Sequence, residues 1–195
     1  MGRRIVIDGN VCSGKTTQCN ILRAIGYSVL SERIQDWPLK LFYSNKQRWA
    51  LLLQFSILKS FQKVSKIYER SPESSKCVFW KMLFDDDIIN DDENDIYSYY
   101  WGHLGWSPDV HIYIDTPPEI CYSRLKFRFQ EGDVDISLDY LKQIDKYYKE
   151  YIATKKNVFV IDGTQDTDTI HEKIKNIILD DMSWYNQVRR WLQNT

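Results

Sequence analysis

The chain has 195 residues, with 26 Lys and Arg against 27 Asp and Glu, a net charge of −1 and 43% hydrophobic residues. That is the length of one domain with a full core. The near-neutral charge makes no case for nucleic acid as a partner, and no apolar run approaches the roughly 20 residues that cross a bilayer. Four scattered cysteines, Cys12, Cys19, Cys77 and Cys121, show no metal-ligand spacing and point to a free-thiol protein of the cytoplasm.

The first element predicted is a buried strand over Arg3-Arg4-Ile5-Val6-Ile7-Asp8. It runs into Gly9-Asn10-Val11-Cys12-Ser13-Gly14-Lys15-Thr16-Thr17, which fits G-x-x-x-x-G-K-[ST], the spacing of a phosphate-binding loop. A helix from Gln18 to Ile25 follows, so the strand–loop–helix context of the motif is present. Glycine at 9 and 14 frees the backbone to turn its amides toward phosphate at a helix N-terminus. Lys15 then reaches the β- and γ-phosphates, and the Thr16 hydroxyl binds Mg²⁺.

Tyr27 to Leu30 reads as a second strand, with Glu32 just past its end; Trp37-Pro38 marks a turn before a short helix over Leu39 to Tyr43. Leu51, Leu52, Phe55, Leu58 and Phe61 recur at helical spacing within a long helix from Gln47 to Lys63. A strand at Lys66 to Tyr68 leads to Glu69-Arg70-Ser71-Pro72, and Pro72 opens a helix reaching about Phe84. Seven acids between Asp85 and Asp95 read as a solvated connection, after which Ile96 to Leu104 resumes as helix. Val110 to Ile114 is a continuous apolar strand with His111 inside it, read as a packed residue. Thr116-Pro117-Pro118-Glu119 reads as a capped helix start with Thr116 as N-cap. That helix ends near Phe129, and a loop follows from Gln130 to Ser137. A helix over Leu138 to Ile152, a final buried strand over Asn157 to Ile161 and a helix over Thr167 to Leu179 complete the chain. The tail, 180–195, reads either as an amphipathic docking helix or as a loosely held end. Strands alternate with helices throughout, which argues for one α/β domain over 1–195 with a parallel sheet covered on both faces. Ligands gather at the carboxyl ends of such strands, where Glu32, Glu69-Arg70, Asp115 and Gly163-Thr164 fall beside the phosphate loop.

From Ile5 to Ile161 the chain resembles the deoxynucleoside kinase family. The resemblance rests on Glu32 with Trp37 five residues later; on Tyr43, Arg48-Trp49 and Gln54 at the family's intervals; on Glu69-Arg70-Ser71; on Arg124 and Arg128 of an arginine-rich lid near 124–136; and on Leu138-Asp139-Tyr140-Leu141 after it. Arg33 stands where the family has proline, and Gln130 where a further lid arginine is usual.

The resemblance implies a five-stranded P-loop kinase fold that moves the γ-phosphoryl of ATP to the 5′-hydroxyl of a deoxynucleoside. Glu32 is then the general base, paired with Arg70, while Lys15, Arg124 and Arg128 neutralise phosphate charge and Glu69 joins Thr16 at Mg²⁺. Gln54 reads a pyrimidine edge, Trp37 and Phe79 sandwich the base, and Tyr43 with Asp133 (Glu131 the alternative) holds the sugar 3′-hydroxyl. Phe61 and Ser75 stand where cytidine- and purine-preferring relatives carry an arginine and an aspartate, which favours thymidine, then deoxycytidine. A homodimer through the helices at 47–63 and 72–84 is also implied, as is a virus-encoded member working in host cytoplasm. Two other readings stay open at this point: a thymidylate-type monophosphate kinase, and a nucleotide-binding protein without turnover.

Overall fold

A computed structural model of the chain describes residues 3–62, 64–128 and 136–193, with side chains as far as 181. Five parallel strands form one sheet in the order β2-β3-β1-β4-β5: β1 (Ile5–Gly9), β2 (Val29–Leu30), β3 (Ile67–Glu69), β4 (Val110–Asp115) and β5 (Val158–Asp162). All five residues of β1 are buried. It pairs Ile5 with Ile67 on one side and Ile5 with Val110 on the other. From β1 the chain goes to the edge at β2, returns to place β3 between them, then crosses β1 to add β4 and β5, which opens a crevice at the carboxyl ends of the central strands.

Alternation along the strands assigns the two faces. Ile5, Ile7, Ile67, Ile112, Ile114 and Ile161 pack on Cys19 and Leu22 of α1 (Lys15–Ala24) and on Ile170, Ile174 and Ile178 of α9 (Thr167–Gln193). On the opposite face, Val6 and Tyr68 meet Ala50, Leu53, Ile57 and Leu58 of α3 (Lys46–Ser60), while Tyr113 meets Ile144, Tyr147, Tyr148 and Tyr151 of α8 (Leu138–Ala153). Asp8 and His111 point to this second face, where apolar side chains are the rule.

Several boundaries differ from the sequence reading. The acidic run is not all connection. Asp91, Asp92 and Glu93 form the first turn of α6 (Asp91–Leu104), with Asn90 and Glu93 bonded reciprocally as a capping box; acids there meet the positive end of the helix dipole. The stripe predicted on the long helix is rotated. α3 buries Ala50, Leu53, Gln54, Ile57 and Leu58, and leaves Leu52 45% exposed. The small Ala50 lets that face approach the sheet.

The segment after Pro72 runs as α4 (Pro72–Ser74), a π-helix (Ser75–Trp80) and α5 (Lys81–Asp85). Such a bulge is invisible to a 3.6-residue period. Thr116 does not cap α7 (Pro118–Arg128). The first helical N–H bonds, from Ile120 and Cys121, go to the Pro117 carbonyl, and the Thr116 hydroxyl donates instead to the Ser13 carbonyl at 3.2 Å. β5 is an edge strand rather than a buried one, with Phe159 and Val160 47% and 58% exposed. The tail continues α9 as helix to Gln193. A short helix α2 (Leu39–Ser44) precedes α3. The four cysteines are free, and among the described residues no helix is long and apolar enough to cross a membrane.

Candidate active site

The loop Gly9–Thr17 leaves β1 and enters α1 at Lys15. Gly9 has φ +150°, and a Cβ there would meet the Ile114 carbonyl oxygen and Ser13 Oγ at 2.6 Å, so no side chain fits between the loop and β4. Asn10 braces the loop from behind: its Nδ2 donates to the Leu141 carbonyl at 2.9 Å and its Oδ1 accepts from the Val11 amide at 2.8 Å. The N-terminus of α1 is thereby presented to a cavity of about 680 Å³. Val11, Cys12, Ser13, Gly14, Lys15, Thr16 and Thr17 line that cavity together with Glu32, Arg70, Arg124 and Arg128. Trp37, Tyr43, Gln54, Ser75 and Phe79 line it as well.

Arg70 joins the strand ends. It follows β3 with φ +64°, a left-handed conformation rare for a non-glycine residue. Its Nε donates to Glu32 Oε1 at 2.8 Å, beyond the end of β2, and its Nη1 donates to the Tyr148 hydroxyl of α8. Nη1 also lies 3.9 Å from Asp8 Oδ1. Asp8 accepts from Tyr148 Oη and His111 Nε2, each at 2.8 Å.

This network sets the charges. Burial pushes the Glu32 carboxyl above its ordinary range, against the pull of Arg70. Asp8 is buried too, yet the hydrogen bond and charge of His111, with Arg70 and Tyr148, hold it below the usual value. Burial opposes charge on Arg70, but Glu32, Tyr148 and Asp8 outweigh it and keep the guanidinium protonated. Burial and the neighbouring Arg70 bring Lys15 down to about 8.

The other wall is apolar apart from a few placed polar groups. Trp37, Phe42, Leu53, Ile57, Phe79, Met82 and Ile88 surround Gln54 and Ser75, which are 2% and 3% exposed. Gln54 Oε1 and Trp37 Nε1 are buried with no hydrogen-bond partner among the described residues. Such buried polar atoms cost free energy until something pairs them. The Phe79 ring lies 4.7 Å from the Arg70 guanidinium carbon, so one of its faces already carries a cation. Tyr43 meets Phe42 edge-on at 5.4 Å.

Phe61 is not on this wall. It ends α3, packs against Trp106 at 6.2 Å, and its carbonyl accepts from the Trp106 indole. Phe61 continues the face of Leu53 and Ile57 but lies one turn beyond the last α3 residue that lines the cavity. Gly9, Asn10 and Glu69 also stand behind the lining rather than in it. Gln130, Glu131 and Asp133 lie outside the described residues, with most of the expected lid.

Glu69 Oε1 accepts from Thr16 Oγ1 at 2.5 Å where the loop becomes helix. Among the described residues no group of three or more metal-ligating His, Cys, Asp or Glu side chains lies together. One hydroxyl and one carboxylate, both hard oxygen donors, fit a magnesium ion that keeps waters and takes its other ligands from phosphates.

The family model for deoxynucleoside kinases matches residues 5–183. The chain belongs to the deoxynucleoside kinase family. It is 29% identical over 89% of its length, and 95% of the relative's, to a protein of Invertebrate iridescent virus 3 whose name goes no further than kinase. It is 30% identical to human mitochondrial thymidine kinase 2 over 168 residues, 76% of this chain and 63% of that one. The fold matches that of deoxyadenosine kinase from M. mycoides, solved with bound dCTP, at a TM-score of 0.79 and 23% identity over 91% of this chain and 99% of that one. The two nucleosides in these names differ, so the substrate of this kinase is read from its own wall.

Part of the cavity and its support in this deoxynucleoside kinase has no signature in the sequence motifs. Asp8, His111 and Tyr148 form the support of Arg70, and Asp86 with Gln143 lines the cavity, bonded at 3.0 Å. A charged residue ending a run of buried apolar ones was the available signal for Asp8. Nothing in the sequence signals that α8 turns Tyr148 onto it.

Proposed function

We propose that this kinase moves the γ-phosphoryl of ATP to the 5′-hydroxyl of a pyrimidine deoxynucleoside, thymidine first and deoxycytidine second, in the supply of DNA precursors. The observation that carries the substrate class is Gln54, a buried amide with an unpaired oxygen on an otherwise apolar wall. Its amide offers a donor and an acceptor, which matches the N3 and O4 edge of thymine or the N3 and N4 edge of cytosine. Ser75 beside it brings no charge and leaves room for the thymine methyl. With Phe61 in the core, Ser75 is the one of those two positions that bears on the substrate. Trp37 and Phe79 flank the base, Phe79 with its free face, and Tyr43 with Asp133 takes the 3′-hydroxyl.

In the transfer, Glu32 accepts the 5′-hydroxyl proton as the oxygen attacks the γ-phosphorus and the bond to ADP breaks. A carboxyl raised above its ordinary value is a better base near neutral pH than an ordinary one. Arg70 aligns Glu32 and, with Lys15, Arg124 and Arg128, balances charge on the transferring group, which is most of what phosphoryl transfer needs from a protein. Thr16 and Glu69 would hold magnesium, which supplies further charge neutralisation at the phosphates. A carboxylate at the acceptor position suits an uncharged sugar rather than a nucleoside monophosphate.

A second copy of the chain fits against Leu52 of α3 and Ile96, Tyr99 and Tyr100 of α6, all at least 45% exposed. The 72–84 segment, the other half of the expected interface, turns Pro72, Val78, Trp80 and Met82 into the core and offers its opposite face to such a contact. Free thiols support work in a reducing cytoplasm. Initial rates with the four deoxynucleosides and with thymidine monophosphate test the proposal. The expected order is thymidine, deoxycytidine, then the purines, with no monophosphate turnover. A purine preference overturns the substrate, and faster reaction of the monophosphate overturns the acceptor.

A further inference from the structure

Behind Arg70, on the side away from the cavity, lies a buried chain of hydrogen bonds in which no group lines the cavity. Its direction is fixed by chemistry. An ionised Asp8 can only accept, so His111 Nε2 carries a proton to Oδ2, and the one hydroxyl proton of Tyr148 goes to Oδ1. The Tyr148 oxygen is left with its lone pairs toward Arg70 Nη1, which donates to it. Arg70 Nε is spent on Glu32, and the Phe79 ring covers one face of the guanidinium. The guanidinium plane is therefore fixed from three directions. Behind Tyr148 of α8 stand Asp8 of β1 and His111 of β4, side chains buried on paired central strands.

We propose that Tyr148 and Asp8, steadied by His111, are positioning residues that hold Arg70 in its productive orientation while Glu32 changes charge. The inference rests on the reading of Glu32 and Arg70 given above. When Glu32 takes the proton it becomes neutral, and the Nε contact loses its ionic character. An arginine tied to Glu32 alone would then be free to turn away. Asp8 stays ionised and out of reach of substrate, and through the Tyr148 hydroxyl it keeps the guanidinium in place. The strained backbone of Arg70 needs such an anchor, because the local chain does not favour the conformation that aims it.

Single-turnover and steady-state rates of Tyr148→Phe, alone and on an Arg70→Lys background, test this with the deoxynucleoside the unmodified enzyme uses fastest. Tyr148→Phe is expected to lower kcat about 10- to 100-fold, the cost of a misplaced group, with both KM values within about twofold. On the Arg70→Lys background the same change is expected to cost less than about twofold, since coupled residues are not additive. Should Tyr148→Phe fail to fold, His111→Leu is expected to lose kcat and His111→Gln, which keeps an N–H donor, to retain it. Unchanged kcat in folded Tyr148→Phe, equal losses on both backgrounds, or equal behaviour of the two His111 variants overturns the positioning role. An Arg70→Lys enzyme with unimpaired kcat overturns the underlying reading of Arg70 as well.

Discussion

Lys15 Nζ donates to the carbonyl oxygen of Asn10, five residues back in its own loop, at 2.7 Å. The lysine is thus held over the loop before any phosphate arrives, and burial with Arg70 nearby brings it down to about 8. A triphosphate reverses the balance, because its charge favours the ammonium form. Above that value the empty protein is short of that proton, so binding of ATP takes it up. Calorimetry in buffers of different ionisation enthalpy reads the uptake directly. The Lys15 share is the difference between parent and Lys15→Met; it should be clear at pH 8.5 and shrink toward pH 6.5, where Lys15 is already charged and the titration of the phosphate itself, near about pH 6, is common to both proteins.

Gln54 should behave oppositely toward stability and toward activity. Its Oε1 is buried and unpaired in the empty protein, so Gln54→Leu removes an unsatisfied acceptor. Recovering about 1 kcal/mol that way raises Tm by about 2–4 °C in a chain of this size. The same change should lower kcat/KM for thymidine by about 10²-fold or more, because the base edge is then left without partners. A thermal melt and a rate measurement on one variant check both halves.

Asp8 makes the fold sensitive to acid. Its folded value lies below the ordinary carboxylate value, so its stabilisation is complete above about pH 4 and is lost as pH falls through the lower folded value. Asp8→Asn should cost about 2–4 kcal/mol at pH 7 by leaving His111, Tyr148 and Arg70 short of charge. The gap between variant and parent should narrow below pH 4. Urea unfolding at pH 7, 5 and 3 gives the three differences.

The readable part of this protein was the part whose chemistry is local. A phosphate loop needs glycine, lysine and a hydroxyl at fixed spacing, and Gly9, Gly14, Lys15 and Thr16 declare themselves. Buried parallel strands read as apolar runs, so all five strands were legible; only the burial of β5 was not, because its edge position exposes Phe159 and Val160. Glu32, Arg70, Gln54, Trp37, Tyr43, Ser75 and Phe79 meet in one cavity as the motifs imply. What was hidden depends on position along and around the helices. Gln54 and Phe61, seven residues apart, share one face of α3, and their separation along the axis leaves only Gln54 at the cavity, while the π-helix shifts the phase of residues beyond Ser75. Thr116 reads as a cap by spacing, yet two prolines delay the helix and free its hydroxyl for the loop. Side chains such as Tyr148, 78 residues from Arg70, meet only through the completed fold.

In the proposed mechanism Glu32, held by Arg70 at 2.8 Å, removes the proton from the sugar hydroxyl. Its raised value predicts that kcat falls with acid at a pH above the ordinary glutamate value of about 4.3, as the base is protonated. Glu32→Gln keeps the shape and the contact to Arg70 but cannot accept that proton. The pH profile of kcat for thymidine phosphorylation, parent against Glu32→Gln, is the most direct test. The expected result is a loss of about 10²- to 10⁴-fold, disappearance of the acid limb and thymidine binding within a few-fold of the parent. A variant with the parent's rate and the same acid limb would contradict it.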